Sequence, residues 1–222
     1  PRDVSFWGPV FNEQGTHALL VVRSHDNKDR WIMELKLKDG SLALIDRQHD
    51  DAWIGGPGIS EWNFGTGNIG WISENKCWFQ SEESGFSHIY SYHLVTGKKE
   101  ALTAGEWEVY EARLSHDKKY FYLTANKEDP AERHFYRMPS DGGELVRYTS
   151  DPGNYEVTIS PDEKMLAVRY SYSNQPWELY IMPNKPEARM LQVTRSTTDA
   201  FNSYDWRIPD LITFNASDGK KV

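Results

Sequence analysis

The chain has 222 residues, a net charge of −8 and an isoelectric point near 5.4, enough length for one large all-β domain or two small ones with a real core. This acidity argues against a nucleic-acid partner, because phosphate binding depends on Lys and Arg neutralising the backbone. The single cysteine, Cys77, cannot form an intrachain disulfide or complete a zinc site. It is expected to be a small buried hydrophobe.

No apolar run approaches the roughly 20 residues that span a bilayer. The start, Pro1-Arg2-Asp3-Val4-Ser5, is not a signal peptide. Opening without methionine and ending in mid-pattern at Val222, the chain is expected to be a fragment.

In chain order, the first unit runs from Val10-Phe11-Asn12-Glu13-Gln14-Gly15 through Ala18–Val22 and Trp31–Leu35 to a turn at Asp39-Gly40. Three closer copies follow. Trp71–Phe79, Leu114–Tyr122 and Ile159–Ala167 each read as strand, polar turn, strand. A second pair then follows in each copy, at Ile89-Tyr90, Phe135-Tyr136 and Leu179-Tyr180. Each copy closes on a threonine, Thr103, Thr149 or Thr194, spaced 46 and 45 residues apart.

Four short strands per unit at a period of about 45 residues is the pattern of a propeller blade. An all-β partial β-propeller of about four blades is therefore predicted, as an open arc, with blades over 5–53, 70–108, 109–156 and 157–206. The second strand of each unit is apolar at consecutive positions, Ala18–Val22, Tyr120–Leu123 and Met165–Val168, so coverage on both faces is expected. Uncovered faces at the two ends of such an arc would favour self-association, and a homodimer is expected on that ground.

Between the first two units lies an insertion, 54–69, which stretches the spacing from Gly40 to Gly97 to 57 residues. A long loop inside a compact domain is usually functional or disordered. This one contains Trp62 and Phe64. Elsewhere the chemistry-bearing patterns are missing. No serine has the flanking glycines of a nucleophile elbow: Ser60 has Gly58 but Trp62, and Ser87 has Gly85 but Ile89. The seven histidines lack ligand spacing, so neither a catalytic residue nor a metal or other cofactor is expected in this chain. Glu82-Glu83 falls in a hairpin where exposed acids are ordinary, although such a pair can clamp an ammonium. His49-Asp50-Asp51 reads as a solvated patch at a blade connection.

The stretch Ser81-Glu82-Glu83-Ser84-Gly85-Phe86-Ser87-His88-Ile89-Tyr90, followed by Ala101-Leu102-Thr103-Ala104-Gly105-Glu106-Trp107-Glu108-Val109, resembles the dipeptidyl peptidase IV family. The likeness continues in register to Pro209–Gly219, which looks like the strand opening that family's α/β-hydrolase domain, so 207–222 is expected to lead into it. The resemblance implies the later part of an N-terminal propeller, non-catalytic itself, that gates a serine exopeptidase site. The implied partners are the chain's own hydrolase domain and a peptide substrate, and the implied compartment is periplasmic or otherwise extracytoplasmic.

The loop after Trp53-Ile54-Gly55 stands where that family places an aromatic–arginine pair beside substrate. Here no arginine occurs between Arg47 and Arg113, which leaves Trp62 and Phe64 as the substrate-proximal candidates. The family's paired glutamates lie in an earlier propeller segment, and Glu82-Glu83 does not inherit their role. A stand-alone propeller of the TolB type, binding a protein partner through its loops, is the competing expectation, because fold does not specify function.

Overall fold

The computed structural model describes residues 3–59, 65–210 and 212–222. They fall into two compact units, residues 1–150 with 185–187 and residues 151–184 with 188–222. The first unit holds three sheets. The first sheet contains β1 (Val4–Phe11), β2 (His17–Ser24), β3 (Asp29–Lys36) and β4 (Leu42–His49). The second contains β5 (Ile69–Ser73), β6 (Lys76–Ser81), β7 (His88–His93) and β8 (Lys98–Ala101). The third contains β9 (Val109–Leu114), β10 (Tyr120–Ala125), β11 (His134–Pro139) and β12 (Val146–Arg147).

The second unit holds the fourth sheet, β13 (Asn154–Ile159), β14 (Met165–Tyr172), β15 (Gln175–Pro183) and β16 (Leu191–Gln192), and then α1 (Asp199–Asn202). Every sheet is an antiparallel meander in sequence order, the arrangement of a propeller blade. The chain is a partial β-propeller of four blades, as its period predicts. The fourth sheet opens at Asn154, three residues before the boundary read from the repeat.

In the first unit the sheets meet through two clusters of buried side chains. Leu19, Ile32 and Ile45 of the first sheet pack with Trp71, Cys77, Phe79 and Tyr90 of the second. Trp78 and Ile89 of the second pack with Phe121, Leu123, Tyr136 and Met138 of the third. Trp78 lies edge-on to Phe121 at 5.0 Å, a favourable aromatic geometry. Trp71 Nε1 donates to the carbonyl of Val10 at 2.8 Å and so ties the first two sheets together. The Cys77 side chain is fully buried, and burial pushes its thiol up to about 12, so it behaves as the small hydrophobe expected of it.

The opposite face of the first sheet carries Phe6, Val22 and Trp31 in one cross-strand row and Leu20, Met33 and Leu44 in the next. Phe6 is 71% exposed and Leu44 53%.

A five-residue turn recurs with one physical cause. In Ser24-His25-Asp26-Asn27-Lys28, Ser115-His116-Asp117-Lys118-Lys119 and Ser160-Pro161-Asp162-Glu163-Lys164, the serine hydroxyl donates to the aspartate. The same aspartate accepts the amide of the lysine two residues on. The residue between them takes a left-handed conformation, with φ of 57° at Asn27 and Lys118 and 55° at Glu163. These hydrogen bonds hold the Asp117 and Asp162 carboxyls below the ordinary range, the serine contributing most and the lysine amide next.

A second recurrence explains the closing threonines. Thr103 Oγ1 accepts the Ile89 amide at 3.0 Å, Thr149 Oγ1 the Phe135 amide at 3.1 Å and Thr194 Oγ1 the Leu179 amide at 2.8 Å. Each hydroxyl also meets the residue opening that run: His88 Nδ1 at 3.0 Å, His134 Nδ1 at 3.0 Å, and the carboxylate of Glu178. The threonine thus pins the third strand of its blade to the close of that blade.

In the second unit β14 departs from the expectation. Leu166 and Val168 are fully buried, but Met165, Ala167 and Arg169 on the other face are exposed, so Met165–Val168 is covered on one side only. Arg169 lies on the wet face, 2.6 Å from Glu156 and 5.1 Å from the Trp177 ring. Near the end, Phe214 and Val222 exchange backbone hydrogen bonds at 2.9 Å, closing a small hairpin.

Candidate functional site

The insertion is anchored by a buried polar network. The Arg30 side chain, fully buried in β3, donates from Nη1 to Gln48 Oε1 at 2.9 Å and to the Gln80 carbonyl at 3.1 Å. From Nη2 it reaches the Thr66 carbonyl at 2.8 Å, and so links two sheets to the insertion. Gln80, in β6, donates to the Val109 carbonyl at 2.7 Å and to Ser87 Oγ at 3.0 Å. Ser87 in turn donates to the Pro57 carbonyl at 2.7 Å, and Asn68 closes the loop by donating to Gln80 Oε1. Burial lowers Arg30 to about 10, Arg23 pushing the same way and Asp46 opposing, so the guanidinium is still charged at neutral pH.

Two glycines let the loop lie this close. A Cβ on Gly56 would stand 2.0 Å from Glu82 Oε1, and one on Gly58 would stand 2.0 Å from Gln80 Oε1. Both have positive φ, 93° and 67°, so a side chain is disfavoured by backbone and by space alike.

Beside these glycines is a cavity of about 360 Å³, lined by residues that include Arg47, His49, Ile54, Ile59, Ser81 and Glu82. Ile54 and Ile59 are buried. Its cations already have acids. Arg47 Nη2 is 2.8 Å from Asp29 Oδ1, and His49 lies 3.0 Å from Asp29 and 3.2 Å from Asp51. These two hydrogen-bonded acids, Asp51 foremost, raise the His49 pKa. Lys99, nearby, pairs with Asp46 at 2.6 Å and with Glu83.

Glu82 differs from its neighbour. It is half-buried, and burial, with Glu108 and Asp50 adding to it, raises its carboxyl above the usual range. The hairpin position suggested two exposed acids; the packing of Gly56 on Glu82 is what draws that one inward.

The two residues singled out in the insertion, Trp62 and Phe64, lie outside the described residues. Arg30, Gln48 and Gln80 are the residues that sequence reasoning passed over. The only local trace of them is the polarity of Arg30 and Gln80 within strands.

From Ser87 on, the stretch that carried the family resemblance serves as framework. His88 Nε2 donates to the Gly105 carbonyl at 2.9 Å, and its ring stands edge-on to Trp107 at 4.8 Å. Glu108 accepts the Ser87 amide, and the Val109 amide donates to the Ser87 carbonyl at 2.9 Å. Among the described residues no group of three or more His, Cys, Asp or Glu side chains is placed to hold a metal ion, and no helix is long and apolar enough to cross a membrane.

Four-stranded meanders in sequence, with a long insertion pinned between the first two, define this chain as a segment of β-propeller. Residues 10–177 match the family model described as Dipeptidyl peptidase IV (DPP IV) N-terminal region, and the chain belongs to that family. Among curated proteins it is 33% identical over 120 residues to a probable dipeptidyl-aminopeptidase B of Emericella nidulans, covering 52% of this chain and 13% of that protein. A protein of the same description from Uncinocarpus reesii is 31% identical over 133 residues, covering 57% and 15%. One from Aspergillus oryzae is 36% identical over 102 residues, covering 44% and 11%. The matched segment thus spans less than a sixth of each relative.

Proposed function

We propose that this chain is the non-catalytic propeller portion of a dipeptidyl-aminopeptidase-type serine exopeptidase. In the intact protein it restricts access to the hydrolase site and contributes peptide contacts through the insertion from Gly55 to Asn68. The family match over residues 10–177, with relatives described as dipeptidyl-aminopeptidases, carries this reading. The anchoring of the insertion by Arg30 and Gln80 supports it. Hydrogen bonds hold the insertion at Pro57 on one side and at Thr66 and Asn68 on the other, and remote binding energy of this kind can orient a scissile bond. That no serine of the chain carries the flanking glycines of a nucleophile elbow supports placing the bond-breaking step in a separate domain.

The test compares the purified 222-residue chain with the parent protein on a dipeptidyl chromogenic substrate. The parent is expected to hydrolyse it and to carry a G-x-S-x-G beyond Val222, while the chain alone is inert. Shortening the insertion in the parent is expected to raise KM more than it lowers kcat. Turnover by rigorously purified chain, or a parent without a serine nucleophile, overturns the reading.

A further inference from the structure

We propose that the cavity at the foot of the insertion binds an organic cation, a primary ammonium or guanidinium on an apolar stem, with Glu82 as its acceptor. Four observations combine. Ile54 and Ile59, 7% and 2% exposed, give the cavity apolar walls for a stem. The Glu82 carboxylate lines it and makes no hydrogen bond or ion pair with any described residue. Every cation nearby is committed elsewhere, Arg47 and His49 to Asp29 and Lys99 to Asp46 and Glu83. Finally, Ser81 also lines the cavity and is 1% exposed. Its hydroxyl accepts only the Glu83 amide, at 3.3 Å, so its own proton has no acceptor among the described residues.

An acceptor for charge beside a buried neutral donor suits a ligand that presents an ammonium or guanidinium close to a carbonyl. A bare metal ion fits poorly, because among the described residues no three ligating side chains are placed to share one. A half-buried carboxylate without a cation is costly, and a charged hydrogen bond formed there is correspondingly strong. Burial, Glu108 and Asp50 already disfavour the ionised Glu82, so the incoming cation relieves an existing repulsion.

The inference rests on the peptidase reading only in taking peptide as the source of the cation. That source is either an amino terminus or a basic side chain. Calorimetric titration of the 222-residue chain with Ala-Ala-amide, with Nα-acetyl-lysine amide and with neutral acetyl-Ala-Ala-amide separates the possibilities. At least one cationic probe is expected to bind saturably and the neutral one not at all; the tighter of the two cations identifies the source. Glu82→Gln is expected to weaken binding by about tenfold, with unchanged circular dichroism. Ser81→Ala is expected to weaken it less.

Lack of saturable binding by either cation, equal binding of the neutral probe, or unaltered binding by Glu82→Gln overturns the inference. Each of these leaves the parent's turnover untouched, so the peptidase reading stands or falls on its own assay.

Discussion

The second strands of the second and third sheets are buried at five of six positions, whereas the second strand of the fourth alternates between buried and exposed. All three contain an apolar run, so hydrophobicity at consecutive positions does not by itself report coverage of both faces. The discriminating residue is Arg169, which shares the face of Met165 and Ala167 and marks that face as wet. In β6 and β10 no charged side chain follows the strand's first residue, and both faces are occupied by neighbouring side chains.

The comparison breaks most readily in the core. Phe121→Ala, at a fully buried site against Trp78, is expected to cost about 3–5 kcal/mol in urea unfolding, through lost burial and an unfilled cavity. Met165→Ala, 41% exposed on the wet face of β14, is expected to cost under about 1 kcal/mol. Equal losses would mean that the face of β14 carrying Met165 is covered in solution.

The threonine clamps sharpen the contrast at smaller scale. Thr103 is 4% exposed, and Thr103→Val strands the Ile89 amide and the His88 ring nitrogen away from water, an expected loss of about 1–3 kcal/mol. Thr194 makes the same amide contact but is exposed, so water replaces its hydroxyl, and Thr194→Val is expected to cost under about 1 kcal/mol. Thermal unfolding of the two variants side by side measures the difference. If Thr194→Val proves the more damaging, its bond to Glu178, which also accepts the Ser196 amide, is the part of the clamp that matters.

The blades were legible because their signals are local: hairpin turns, strand pairs and a closing threonine recur within about 45 residues. The insertion was legible as an interruption of that period. Its anchoring was not, because Arg30 meets Gln80 across 50 residues and Thr66 across 36, and neither end shows a pattern that specifies the other. The half-burial of Glu82 was hidden for a related reason. A hairpin acid is ordinarily solvated, and only the approach of Gly56, with no side chain of its own, half-buries this one. The cysteine was the simple case: with no partner thiol available, burial was its remaining role, and its thiol is accordingly pushed up to about 12.

The smallest expected effect lies where the two regions ought not to differ at all. The turns at Asp117 and Asp162 begin the hairpins of the third and fourth sheets, and each aspartate is held below the ordinary carboxylate range by its own serine and lysine amide. A carboxyl whose pKa is depressed by folding contributes stability above its unfolded pKa and loses that contribution as pH falls through the folded value. Asp117→Asn and Asp162→Asn are therefore expected to lower Tm slightly at pH 7, and the deficits are expected to vanish together once the wild-type carboxyls are protonated. Carbon-detected NMR titration of the two carboxyls is expected to give depressed midpoints for both. Because each turn closes on itself, coverage of the adjoining strand should not enter; a midpoint clearly higher at Asp117 than at Asp162 would show that burial of β10 reaches into its turn, since burial raises a carboxyl pKa.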